Sequence, residues 1–202
     1  MQYKNILRST LVGLAVLLPT TFTWAMQSLP YGWYFEADVG SATLNNQDTP
    51  NNVSVSGSGL GANANVGYKF MPFLGIEIGY TRYPNGPWKI SSSDTKIGNS
   101  TYYSYDAAAK GIVPIIDSGL EAFAKVGVGH IVSHLSITDS TSANSVSVGG
   151  SSHSATGLFT GLGLQYYLMP EIAFLAEWTR MQGSSSTGNE QLISGGISVL
   201  MS

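Results

Sequence analysis

The chain contains no cysteine, and only 10% of its residues are charged, whereas soluble domains average about 25%. The absence of cysteine excludes disulfide bonds and a lipid-modified cysteine. The shortage of charge leaves a water-exposed surface poorly supplied with ions. After the first 25 residues, no window holds the roughly 18 apolar residues that a membrane-spanning helix needs. The sequence therefore excludes a helical membrane protein and is unusual for a soluble one.

The first 25 residues have the features of a secretory signal peptide. Lys4 and Arg8 give a positive start, residues 11–18 are mainly apolar, and the "TWA" at residues 23–25 is a small-x-small cleavage site. We expect residues 1–25 to be removed and residues 26–202 to form one domain. Cleavage would leave seven cations against twelve acids, a net charge of −5.

Segments of alternating apolar and polar residues recur along the rest of the chain. In residues 60–70, for example, Val66 and Tyr68 alternate with Asn65 and Lys69. A period of two predicts β-strands, and segments of about 9 to 12 residues suit tilted strands that cross a bilayer. The pattern predicts about eight strands, at residues 32–40, 60–70, 73–83, 102–112, 119–130, 157–168, 172–181 and 192–201.

The connections between these segments alternate between short and long. Short connections lie near residues 71–73, 113–119 and 169–171, and longer ones rich in Ser, Asn, Gly and Thr occupy residues 41–59, 84–101, 133–154 and 183–189. This alternation is typical of an outer-membrane barrel, in which periplasmic turns are short and extracellular loops are long. The predicted fold is all-β, a single up-and-down antiparallel transmembrane β-barrel.

The charges indicate which face of each strand points inward. The apolar faces carry almost no charge at mid-strand, while the opposite faces carry acids, bases and many glycines. A lipid-facing apolar surface around a narrow polar lumen explains this pattern, because an eight-stranded barrel has little interior room for bulky apolar side chains. The predicted lumen charge network consists of Glu36, Asp38, Lys69, Glu77, Asp106, Lys110, Glu121, Lys125 and Glu177.

Charges inside a barrel need partners, because an isolated buried charge is costly. The six acids outnumber the three lysines, so water or protonation must absorb part of the difference. We predict these contacts: Glu36 with Lys69, Lys110 with Glu121, and Lys125 with both Glu77 and Glu177.

Aromatic residues cluster near the strand ends, as in the girdles of membrane barrels. The predicted interfacial anchors are Trp33, Tyr68, Phe70, Tyr80, Tyr83, Tyr103, Tyr166 and Trp178.

The segments "GWYFEADVG", "LGANANVGYKF", "LGIEIGYTRY" and "LEAFAKVGVGH" resemble strands of the OmpA-like family of small outer-membrane β-barrels, which includes opacity-type surface antigens. The resemblance implies a monomer in the outer membrane of a Gram-negative bacterium, with a plugged lumen and variable loops. Its implied partners are outer-membrane lipid and lipopolysaccharide, the barrel-assembly machinery during biogenesis, and a host or surface ligand of the loops. Such barrels usually end on an aromatic residue, and Met201 takes that place here.

We therefore expect a structural surface protein that contributes to envelope integrity or adhesion, and no enzyme. One alternative is a lipid A-modifying enzyme, since His134 and Ser136 lie on one strand face, although the nearest acid, Asp139, falls in a loop. A second alternative is a narrow small-solute or ion channel. No cofactor motif, metal-ligand spacing or basic stripe for nucleic acid is present.

Overall fold

Ten β-strands form the structure of this chain, a computed structural model that describes residues 31–45, 53–55, 57–90, 96–115, 118–137, 152–185 and 187–201. The predicted signal peptide lies outside these ranges. The strands are β1 (Gly32–Asn45), β2 (Val53–Val55), β3 (Ser58–Met71), β4 (Leu74–Arg82), β5 (Gly86–Ile90), β6 (Lys96–Ile115), β7 (Leu120–Ile137), β8 (Ser152–Met169), β9 (Ile172–Met181) and β10 (Asn189–Met201).

Eight of the strands close into an antiparallel barrel. The sheet runs in the order β6, β4, β3, β1, β10, β9, β8, β7, and pairing of β7 with β6 completes the ring. The first and last strands meet directly, with Trp33 opposite Met201. Closure gives each barrel strand a hydrogen-bonded neighbour on both sides, as a lipid environment requires of the part that spans the membrane. The predicted eight-stranded up-and-down barrel is confirmed.

The two ends of the barrel differ. Short connections join β3 to β4, β6 to β7 and β8 to β9, and we call this the turn end. Gly119 in the β6–β7 turn has a φ of 71°, a left-handed conformation that glycine adopts at low cost. The opposite end, which we call the loop end, carries the longer connections.

The predicted loop boundaries are wrong at the loop end, because several strands continue into them. β6 has 20 residues and β7 and β8 have 18 each, well beyond the length that a bilayer requires. β4 ends at Arg82, opposite Tyr103 of β6, and β5 then pairs with the remaining N-terminal part of β6. β2 adds to β5. Polar Ser, Asn and Thr residues concealed these strands, because here they lie in a hydrogen-bonded sheet rather than in irregular loops.

The sidedness is that of a membrane barrel. Outward residues such as Leu60 and Ile78 are 77% and 64% exposed, whereas inward Asn65 and Lys69 are each 2% exposed. The apolar face of residues 60–70 therefore points outward and its polar face lines the interior, as predicted. Within the described ranges, no helix is long and apolar enough to span a membrane.

Candidate functional site

The barrel interior collects the charged side chains that the alternation predicts to point inward. All nine members of the predicted charge network are buried, and none is more than 6% exposed. They come from six of the eight barrel strands, so the closed sheet brings together residues that are far apart in sequence.

Lys125 of β7 lies at the centre of the interior charges. Its Nζ is 2.7 Å from Glu177 Oε2, 2.8 Å from Glu77 Oε1 and 3.3 Å from Glu36 Oε2. The structure thus brings Lys125 between Glu77 and Glu177, where the sequence put it, and adds Glu36. Three carboxylates from β1, β4 and β9 converge on one ammonium group, which links opposite walls of the barrel.

The other two predicted pairs are wrong, because their partners are exchanged. Lys69 pairs with Glu121, at 3.2 Å from Nζ to Oε1, and Lys110 pairs with Glu36, at 2.5 Å. The prediction assumed partners on neighbouring strands, but long side chains here reach across the lumen. The register shows why. Glu36 lies opposite Asn65, four residues from Lys69, and Lys110 lies opposite Lys125, four residues from Glu121. The members of each predicted pair are therefore too far apart along their strands.

Aromatic and amide side chains complete the coordination of these charges. The Tyr34 hydroxyl donates a hydrogen bond to Glu77 Oε2 at 3.0 Å, and Gln165 Nε2 donates to Glu121. The Phe123 ring lies 4.3 Å from Lys110 Nζ and 5.3 Å from Lys125 Nζ, which places the electron-rich ring face near two cations. Sequence reasoning missed these groups, although their inward position follows from strand alternation.

The turn-side interior is nearly filled. A cavity of about 10 Å³ lies between Lys69, Lys110, Gln165 and Tyr167, which is about the smallest space that holds one water molecule.

The loop-side interior holds buried apolar side chains beside the polar ones that the sequence predicted. A buried cluster, which we call the apolar layer, occupies this region and comprises Ala42, Tyr83, Tyr102, Ala108, Ile131, Phe159, Met181 and Leu192. Only Ala42 and Ile131 lie beyond the predicted strand segments, and Tyr83, Tyr102, Met181 and Leu192 are the terminal residues of theirs. The described interior therefore contains two groups of packed side chains, the ion pairs and the apolar layer.

The acids of the loop side have no basic partners among the described residues. Both carboxylate oxygens of Asp38, of Asp106 and of Glu190 lack a hydrogen-bond partner. Glu190, which is fully buried, was missed because it directly follows the predicted loop at residues 183–189. Glu190 alternates in step with Leu192 and Ser194, which also point inward. Extending the alternation of the last strand by two residues would have predicted its inward position. Seven buried acids thus accompany three buried lysines.

Most of the predicted aromatic anchors lie on the outer surface. Trp33 packs edge-to-face on Tyr68, with ring centroids 5.2 Å apart, and Trp33, Tyr68, Phe70, Tyr80 and Tyr166 are 38–55% exposed. Tyr103 and Trp178 are partly buried, and Tyr103 joins Tyr80 and Tyr105 in a three-ring cluster.

Tyr83 is a wrong prediction, because it lies inside the barrel at 2% exposure. The outward residues of β4 have even numbers, so an odd-numbered residue points inward. Its hydroxyl lies 3.3 Å from Ser104 Oγ. Tyr83 thus belongs to the apolar layer and not to the lipid interface.

The residues of the enzyme alternative do not form a catalytic group in the described part of the chain. His134 and Ser136 are both exposed on β7. The strand neighbours of His134 are Thr101 and Ser152, and that of Ser136 is Asn99, so no paired residue offers a carboxylate. Asp139 lies outside the described residues. Within them, no group of three or more His, Cys, Asp or Glu side chains is placed to hold a metal ion.

Comparison with known proteins gives one family and several related folds. The family described as "Outer membrane protein beta-barrel domain" matches residues 11–199. No sequence among the curated proteins matches the chain. Among solved structures, Neisserial surface protein A is 18% identical, with a TM-score of 0.59, over 84% of this chain and 97% of that one.

Two other solved structures share the fold. OprG from Pseudomonas aeruginosa is 14% identical, with a TM-score of 0.57, over 84% of this chain and 93% of that one. Ail of Yersinia pestis, the attachment invasion locus protein, in complex with the heparin analogue sucrose octasulfate, is 18% identical, with a TM-score of 0.50, over 83% of this chain and 99% of that one.

Proposed function

Because this chain belongs to the outer membrane protein β-barrel domain family, we propose that it is a closed, non-catalytic outer-membrane barrel that presents a surface for adhesion at its loop end. Its place is the outer membrane of a Gram-negative bacterium. Two arguments support the proposal: the lumen is filled, and one side of the barrel rises well above the other.

The filled lumen argues against a channel. Lys125 and three glutamates occupy the middle of the interior, and the apolar layer follows toward the loop end. An ion on this path would have to break buried ion pairs and then lose its hydration in an apolar constriction, and both steps are costly.

The single observation that carries the proposal is the height of one wall. We call this part the raised wall: residues 96–102 of β6, residues 133–137 of β7, residues 152–153 of β8, and the short strands β5 and β2. At about 3.3 Å per residue, the seven residues of β6 alone extend about 23 Å along the strand past the end of β4.

The outer surface of the raised wall suits water rather than lipid. Thr101, His134 and Ser152 lie side by side in one cross-strand row, and His134 and Ser152 are exposed. Farther toward the turn end the same faces carry Val128 and Leu158, at 62% and 44% exposure. This change from apolar to polar marks where the wall leaves the bilayer and becomes available to a partner.

The partner is not expected to be a strongly sulfated glycan, although Ail was solved with a heparin analogue. The four predicted loops of this chain carry three acids, Asp48, Asp94 and Asp139, and only two lysines, Lys89 and Lys96. A polyanion binds through an excess of cationic groups. We therefore propose a neutral or weakly charged partner, contacted through Ser, Thr, Asn and aromatic groups.

A surface substitution tests the proposal. Thr101, His134 and Ser152 of the raised wall are replaced together by glutamate, and bacteria that carry either form are compared for attachment to host cells and to heparin-coated beads. Replacement of the exposed Ser184 and Ser185, which follow β9, by glutamate is the matched control. Heat-modifiable gel migration and membrane fractionation establish that each variant is folded and inserted.

We expect the first replacement to reduce attachment to cells and the control to leave it unchanged, with no attachment to heparin by any form. Equal attachment by all folded forms would contradict an adhesive role of the raised wall. Salt-sensitive retention on heparin would contradict the proposed class of partner.

A further inference from the structure

Three unpartnered oxygen atoms meet above Gly79 of β4, in the interior. Gly79 lies between Asn65 of β3 and Asp106 of β6 in one cross-strand row. The two Asp106 carboxylate oxygens lie 2.7 and 2.8 Å from the position that a Cβ on Gly79 would take, and Asn65 Oδ1 lies closer still. We call these three atoms the oxygen cluster.

The oxygen cluster is buried and has no donor. Asn65 and Asp106 are 2% and 6% exposed, and all three oxygens lack a hydrogen-bond partner. On its other side, Asp106 faces Gly129 of β7, so no neighbouring side chain of that row reaches the carboxylate. The Asn65 oxygen and the Asp106 carboxylate oxygens are all electron-rich and are buried away from water. They repel one another unless an electropositive group lies between them.

The nearby hydrogen bonds engage the nitrogen of the Asn65 amide. Its Nδ2 donates to Asn63 Oδ1 at 2.6 Å, and Asn63 Nδ2 in turn donates to Thr81 Oγ1 at 2.8 Å. This chain of donors runs away from Asp106 and leaves the Asn65 oxygen turned toward the carboxylate.

A second carboxylate adds negative charge to the same region. Asp38 of β1 lies directly opposite Asn63, is 4% exposed, and has two unpartnered oxygens. The nearest interior base, Lys125, is already held by three glutamates. Asp38 and Asp106 form no direct ion pair among the described residues, and their two negative charges together match a divalent cation.

We propose that the oxygen cluster binds a calcium ion, with the Asp106 carboxylate and Asn65 Oδ1 as ligands and Asp38, in the next cross-strand row, as a further negative charge. Calcium takes oxygen ligands in irregular geometry and accepts bidentate carboxylates, whereas magnesium demands a regular octahedron. Water completes the coordination. The apolar layer covers the site on the loop side and the Lys125 ion pairs cover it on the turn side, so the ion enters during folding and exchanges slowly.

Direct measurement of bound metal tests this site. The chain is refolded in zwitterionic detergent with millimolar calcium, freed of unbound ion by gel filtration, and its calcium content is measured by atomic emission. We expect about one retained calcium per barrel, in line with the single site. Asp106→Asn is expected to lose the ion, because a neutral amide replaces the bidentate carboxylate.

Two further variants distinguish calcium in the oxygen cluster from calcium bound to another part of the barrel. Gly79→Ala keeps both ligands but places a methyl group where the three oxygens meet, so retained calcium is also expected to be lost. Glu171→Gln changes an exposed acid in the β8–β9 turn and is expected to retain the ion. Heat-modifiable migration identifies the folded fraction, and calcium is counted per folded barrel.

Two results would overturn the proposal. Folded wild-type barrel without retained calcium would mean that a proton on Asp106, or an Asn65 amide turned to donate to it, resolves the contact between the oxygens. Calcium retained equally by folded Asp106→Asn and Gly79→Ala barrels would place the ion elsewhere.

Discussion

Removal of the Lys125 ammonium is the sharpest test of the interior charge network. Lys125→Met keeps the length of the side chain and leaves Glu36, Glu77 and Glu177 around an uncharged group. Each ion pair of about 3 Å contributes roughly 5 kcal/mol of Coulomb energy at an effective dielectric constant of about 20. The desolvation of Lys125 offsets much of this sum. Loss of one partner from a buried pair typically costs about 3–5 kcal/mol, and we expect a free energy of unfolding lower by that amount.

Lys69→Met provides the matched comparison. Lys69 has one acidic partner, Glu121, and Gln165 still donates to that glutamate after the lysine is removed. The loss of stability should therefore be clearly smaller than for Lys125→Met. Urea unfolding of both variants in phospholipid vesicles, followed by tryptophan fluorescence and heat-modifiable migration, gives the two values.

Replacement of the surrounding acids adds a second check on Lys125→Met. The triple variant Lys125→Met, Glu77→Gln, Glu177→Gln should recover part of the loss at neutral pH. If Lys125→Met is as stable as wild type, or is no less stable than Lys69→Met, the central role assigned to Lys125 is refuted.

Two further predictions concern closure and packing. In planar bilayers, wild type and the Phe159→Ala, Met181→Ala double variant should both lack large, steady channel openings. The reason is that the ion pairs still close the lumen when side chains of the apolar layer are shortened. Such openings in wild type would contradict a filled lumen. Gly67→Ala should lower the free energy of unfolding by about 1–3 kcal/mol, because a Cβ there collides with the Tyr34 ring. Gly111→Ala on the lipid face is the control, because the nearest neighbour of its Cβ would be 3.9 Å away. It should change the free energy of unfolding little in the same urea titration.

Strand alternation predicted the fold and the inward direction of the charges because it is a local property. Glu36, Lys69 and Lys125 each take the predicted side, since a shift by one residue would turn a whole strand inside out. The failure at Tyr83 was avoidable, because its odd number already placed it on the inner face of β4.

Contacts across the lumen were not predictable in the same way. The partners of Lys69 and Lys110 depend on the stagger of all eight strands around the ring, and no single segment contains that information. The extra strands β2 and β5 were missed for a related reason: they depend on the tall N-terminal part of β6, which offers them an edge, and not on their own hydrophobic pattern.

The raised wall also has a consequence for motion in the membrane. A barrel in lipid turns about the membrane normal, and a projection on one side of its rim sweeps a circle as it turns. A partner held by the raised wall would stop this rotation while hardly changing the mass inside the bilayer. The chain has no cysteine, so a single cysteine introduced into the rim can carry a fluorescent dye. Attachment would then appear as slower decay of the fluorescence anisotropy, because the barrel rotates more slowly.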